Sequence, residues 1–166
     1  MATMIDDLLA AGVRITDARA PSPKLREGLT LAQLLADREG CYMHSSGIIM
    51  DGKGLLFVGH SEAGKSTMLK MLRGHGELLT DDRVIVRRGA DGFRIHGSWS
   101  HGELSDVSPM SAPLHAVLYL DKAPTNELVP ITDLRERFRL PLSYIVRPLV
   151  TADWWHKMLS LSEKLA

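Results

Sequence analysis

Apolar residues recur along this chain with two different spacings, and the places where the spacing changes divide it into elements. Residues 3–11 carry a helical spacing. The Ala20-Pro21-Ser22-Pro23 stretch cannot continue that helix, so residues 1–28 form an N-terminal arm to a domain over 29–166. Thr30 caps a second helix, LAQLLADRE, with Leu31, Leu34 and Leu35 on one face and Gly40 closing it. From Cys41 to Met50 the pattern becomes that of a strand, Asp51-Gly52-Lys53-Gly54 is a turn, and Leu55 to Val58 is a second strand. A hairpin folded about residues 52 and 53 brings His44 level with Ser61.

Residues 68–72, MLKML, read as a short amphipathic helix that Gly74 and Gly76 end. ELLTDDRVIVRR runs into a strand opened by Asp81 and Asp82, turns at Ala90-Asp91-Gly92 and returns as FRIHG. The polar stretch 97–109, with Trp99, His101 and Glu103 close together, is a loop suited to a lid or an acceptor site. AVLYLD (116–121) is a buried strand ending in Asp121. Thr151 caps a last helix with apolar residues at 154, 155, 158, 159 and 161, whose Trp154 and Trp155 suit the core or a homo-oligomer contact.

Composition narrows the classes. A chain of 166 residues with 45% hydrophobic and 24% charged positions supports one α/β domain with a full core. Twenty basic side chains balance twenty acidic ones, which argues against a general nucleic-acid surface. The lone cysteine, Cys41, is expected as a buried thiol in a protein of the reducing cytoplasm. The start, MATMIDDLLAAG, carries two aspartates where a secretory leader would be basic, and no apolar run approaches the ~20 residues of a membrane span.

The chemistry centres on GHSEAGKST, residues 59–67, which matches the phosphate-binding pattern G-x-x-x-x-G-K-[ST]. Gly59 and Gly64 let the backbone turn with its amides inward, past His60, Ser61, Glu62 and Ala63. Lys65 reaches the terminal phosphates, the Ser66 hydroxyl can ligate magnesium, and Thr67 completes the cradle. The strand before the loop and the helix after it supply the expected context, the helix adding the partial positive charge of its N-terminus. Glu62 is the exception, a carboxylate beside the phosphates.

Adjacent carboxylates repel unless a cation offsets them, so Asp81 and Asp82 fit a magnesium nucleotide. Asp121, at the end of an apolar strand, is the rival metal ligand of an ordinary P-loop NTPase. His96, His101 and Glu103 fit no common metal spacing.

Together, His44 in MHSSGIIMDGKG, the loop GHSEAGKST and the segment RGHGELLTDD resemble the catalytic core of bacterial HPr kinase/phosphorylase and its PEP-carboxykinase-like relatives, over residues 41–100. The resemblance implies a mixed rather than parallel sheet, with the P-loop between a hairpin strand and a helix, and an ATP- and Mg2+-dependent phosphotransferase. It also implies that Asp81 and His44 act at the acceptor hydroxyl, Asp81 as base, while Asp82 joins Ser66 on the metal. Glu62 stands where that family usually has glycine. The expected activity is transfer of the γ-phosphoryl group to a hydroxyl of a protein, peptide or small molecule. The alternatives are a non-catalytic nucleotide-binding module and an NTPase using Asp121.

Overall fold

A computed structural model of the chain describes residues 23–147 and 151–166; the helix expected at 3–11 lies outside them. The first described element is helix α1, Pro23–Ala36. It begins seven residues before Thr30, because proline at the first position of a helix has no amide to waste and a φ already suited to helix. The expected boundary between residues 28 and 29 therefore falls inside α1. The helix also stops before Gly40: Glu39 takes the left-handed conformation at φ 53°, and Gly40 already belongs to the first strand.

Strands β1 (Gly40–Met50) and β2 (Lys53–Val58) form the expected hairpin, paired from Met50↔Lys53 to Ser45↔Val58. The turn residues are Asp51 and Gly52, both at positive φ (48° and 72°), as a tight two-residue hairpin turn requires. This centre lies one residue earlier than expected. One step beyond the last pair, His44 is level with Gly59 rather than Ser61.

After helix α2 (Lys65–Leu72) come β3 (Glu77–Thr80) and β4 (Arg83–Gly89), so Asp81 and Asp82 lie between two strands instead of opening one. Both strands run antiparallel to β1, β3 beside Gly47–Ile49 and β4 beside Gly40–His44, with a register shift at Gly47/Ile48. At the break, Asp82 O accepts from Ser45 N at 3.1 Å and Asp81 O accepts from the Ser46 hydroxyl at 3.3 Å. The two carbonyls are thus satisfied without regular pairing. Strand β5 (Gly92–His96) returns along β4, and β6 (Ser111–Tyr119) pairs antiparallel with β5 and parallel with β2. The pairings close a ring, β1–β4–β5–β6–β2–β1, with β3 outside it. The sheet is mixed, as expected.

Alternation sorts side chains between two apolar cores. Met43, Leu56, Val58, Leu79, Val84, Val86 and Ile95 are fully buried on one side, with Trp154, Met158 and Leu161. Ile48, Phe57 and Leu78 point the other way, onto Leu69 and Leu104. The last two elements are helices α3 (Leu134–Tyr144) and α4 (Ala152–Leu165). Thr151 caps α4, its side chain accepting from Trp154 N at 3.2 Å, and Trp154 is core. Helix α3 was not expected from the pattern. Its signal is a capping box, Asp133 with Glu136 three residues on; Asp133 Oδ1 accepts from Arg135 N and Glu136 N at 2.7 and 3.1 Å. Cys41 is buried as expected, which pushes its thiol up to about 12. Among the described residues no helix is long and apolar enough to cross a membrane.

Candidate functional site

Strand β2 ends at Val58 and α2 starts at Lys65, so residues 59–64 connect a buried strand to a helix N-terminus. Gly64, at φ 101°, sits in the left-handed region where a side chain would be strained. Gly59 is needed for closeness: a Cβ there would lie 2.8 Å from the Ala63 side chain. The first turn of α2 has no side-chain cap. Among the described residues, the backbone bonds recorded within this loop and turn are Ala63 N to His60 O and Met68 N to Gly64 O. The amides of Gly64, Lys65 and Ser66 are thus left for a ligand.

This loop forms one wall of a cavity of about 360 Å³ lined by His44, Ser61, Glu62, Gly64, Lys65, Ser66, Thr67, Asp81, Asp82, Gly102 and Glu103. Gly59 and Ala63 do not line it. His60 turns away, its ring 5.4 Å from that of Tyr144. Glu62 takes φ 66°, a conformation that costs a non-glycine residue about 1 kcal/mol. The residue lines the cavity.

Lys65 is 7% exposed, and its ammonium donates to Gly59 O and His60 O, both at 2.8 Å. Burial holds its pKa below the usual lysine value, while the charges of Asp82 and Asp81 pull it back up. The two aspartates differ sharply. Asp81 is 4% exposed and accepts from Gly102 N at 2.6 Å, Leu104 N at 2.8 Å and the Ser66 hydroxyl at 3.2 Å. Asp82 is half-buried, with His44 Nδ1 and Arg83 Nε each at 3.4 Å and the Ser100 hydroxyl donating to Oδ2.

The expected partnerships are therefore exchanged: His44 stands beside Asp82, not Asp81, and Ser66 bonds Asp81, not Asp82. Asp81 and Asp82 lie in the bend between β3 and β4, where the two carboxylates take different hydrogen-bond partners. Asp121 follows the end of β6, the parallel neighbour of β2, but it is exposed. It accepts from its own neighbour Lys122 N at 2.8 Å and does not line the cavity.

Among the described residues no three His, Cys, Asp or Glu side chains converge as a metal site, so His96, His101 and Glu103 form none. A cation held here would take Ser66 and an aspartate from the protein and its remaining oxygens from the ligand. The charge of the wall fits that arrangement. Glu62, Asp81, Asp82 and Glu103 line the cavity with Lys65 and His44, and two of the four are offset from outside it, Glu103 by Lys70 at 2.9 Å and Asp82 by Arg83 at 3.4 Å. A bare polyphosphate would be repelled, whereas one carrying a divalent cation suits these walls.

Sequence reasoning read 97–109 as a lid or acceptor loop but did not single out Ser100, Gly102 and Leu104 within it. Two of them contribute only backbone amides to Asp81, which no residue pattern advertises.

A model of the SynChlorMet cassette protein ScmC matches residues 27–159, well over half of the chain. The chain belongs to this family. Outside the family, it resembles the HPr(Ser) kinase/phosphatase from Coxiella burnetii with a TM-score of 0.41 and 18% identity, over 54% of this chain and 71% of that one. A likeness of that size fixes neither fold nor activity. Short segments match DNA ligases: 72% identity over 36 residues with that of Stenotrophomonas maltophilia (strain R551-3), and 60% over 35 residues with that of Xanthomonas euvesicatoria pv. vesicatoria (strain 85-10). Each match spans 21% of this chain and 4% of the ligase.

Proposed function

We propose that this chain binds ATP with Mg2+ in the cavity behind residues 59–67 and transfers the γ-phosphoryl group to a hydroxyl on a protein, peptide or small molecule. The observation that carries the reading is the junction of uncapped helix amides, Lys65 and Ser66 with two inequivalent carboxylates across one cavity. In this reading Lys65 leaves the carbonyls of Gly59 and His60 to meet the β- and γ-phosphates. Ser66 and Asp81 form the metal side. Magnesium, when bound, supplies the charge compensation that the acidic wall and the polyphosphate both need. Asp82 takes the proton of the acceptor hydroxyl, and His44 orients Asp82 and shares the charge. The buried Cys41 thiol suits a cytoplasmic protein.

One observation favours a second reading, a nucleotide-binding module without turnover. Lys65 is tied to loop carbonyls and Asp81 to three donors, so both must be freed or shared before chemistry.

The test separates binding from chemistry. Mg-ATP is expected to raise the melting temperature, ATP with excess EDTA is not, and Lys65→Ala should remove most of the shift. Absence of any shift at millimolar Mg-ATP would sink both readings. With labelled ATP and a cell extract, Asp82→Asn should abolish labelled products while keeping the thermal shift. Wild-type label equal to that control would leave only the binding module.

A further inference from the structure

The hydroxyl that donates to Asp82 belongs to this chain. We propose that Ser100 is phosphorylated in cis, a self-acceptor held at the carboxylate that would take an acceptor's proton. The inference rests on the nucleotide reading above.

Ser100 is not an incidental surface serine. Its carbonyl accepts from the Thr80 hydroxyl, its amide donates to Ser98 Oγ at 3.2 Å, and Ser98 Oγ in turn donates to Arg83 O at 2.6 Å. Two residues on, Gly102 N is bound by Asp81 at 2.6 Å. The backbone is thus pinned on both sides, and Ser100 Oγ is directed onto Asp82, whose other oxygen faces His44 at 3.4 Å. Trp99, between the pinned Ser98 and Ser100, is 68% exposed, so the apolar side chain of this stretch is left in solvent while its hydroxyl is turned inward. Among the described residues, Ser66 is the other hydroxyl bonded to a carboxylate of the aspartate pair, and it stands on the first turn of α2, among the phosphate-facing amides. Geometry therefore separates the two: Ser66 on the donor side, Ser100 on the acceptor side.

In the step itself, the Ser100 Oγ–P bond forms as the bond from Pγ to the bridging oxygen of ATP breaks. ADP leaves with that electron pair, and the hydroxyl proton passes to Asp82. Once Asp82 releases that proton to solvent, a phosphoserine dianion stands beside a carboxylate, so repulsion should expel Ser100 from Asp82 and open that carboxylate to an external hydroxyl.

Purified full-length chain incubated with Mg-ATP should gain a single phosphate by intact mass, mapped to Ser100, at a per-chain rate independent of protein concentration. Ser100→Ala should show none, and Asp82→Asn should lower the rate roughly 100-fold or more. A reading free of turnover comes from the nucleotide-free protein. Ser100→Asp should speed amide exchange over residues 98–104 relative to Ser100→Ala, because it sets a second carboxylate against Asp82. Equal exchange in the two variants would mean that the side chain is not held there and would overturn the proposal. So would phosphate on another residue, or a rate proportional to concentration. A Mg-ATP thermal shift without phosphate on Ser100 overturns the self-acceptor and leaves the nucleotide reading standing. No thermal shift defeats both.

Discussion

The cavity has two walls built on opposite plans. Residues 59–64 are held by one internal backbone bond and by Lys65 reaching back to two carbonyls, so their amides are left for a ligand. Residues 97–109 are fastened at nearly every turn. Ser98 holds Arg83 O, Thr80 holds Ser100 O, Asp81 holds Gly102 N and Leu104 N, Arg73 and Lys70 meet Asp106 and Glu103, and Leu104 is buried in the second core. One wall spends its polar groups on the protein and the other keeps them for solvent or substrate. A phosphate site needs this division, because amides can greet an anion only if no protein acceptor has claimed them.

The largest expected effect comes from unfastening the pinned wall. Asp81→Ala orphans the Gly102 and Leu104 amides and should cost about 3 kcal/mol in urea unfolding, with fast amide exchange appearing over 97–109. Asp81→Asn keeps one acceptor oxygen and should cost about half as much. If both variants leave stability and exchange unchanged, the pinned wall does not depend on this carboxylate.

The open wall should respond oppositely. Glu62→Gly relieves a left-handed backbone at φ 66° and should raise stability by up to about 1 kcal/mol, less the entropy that glycine brings to the unfolded chain. Glu62→Ala keeps the strain and removes only the charge. Both should tighten Mg-ATP binding by the same factor if the carboxylate repels phosphate. If Glu62→Gly alone tightens it, backbone freedom and not charge limits the loop.

The smallest effect belongs to the outer fastening. Lys70 and Glu103 are half or more exposed, so Glu103→Gln should change stability by no more than about 0.5 kcal/mol, and less at high salt. A loss near that of Asp81→Ala would show that the exposed pair, not the buried carboxylate, holds this wall.

Much of the frame was legible in the residues. The hairpin, the loop between β2 and α2, the β4–β5 turn and the Thr151 cap follow from local rules of period, turn chemistry and capping, which act over a few residues. Misjudged local features failed for local reasons as well. Pro23 opens α1 seven residues before the cap expected at Thr30, and the positive φ of Asp51 and Gly52 moved the hairpin centre and with it the level of His44.

What the sequence determined by itself was therefore the inventory: a phosphate-loop pattern, two adjacent carboxylates and a histidine on the first strand of the hairpin that leads into the loop. Only the tertiary structure decided their partners. Asp81 and Asp82 are neighbours in the chain, yet one is buried under two amides of a loop about twenty residues away and the other opens to His44, Arg83 and Ser100. Which of them is covered is set by residues 97–109, whose Leu104 packs with Leu69 and Leu78 and whose Gly102 and Leu104 amides bind Asp81. That packing is a matter of distant chain segments meeting, which no spacing of residues records.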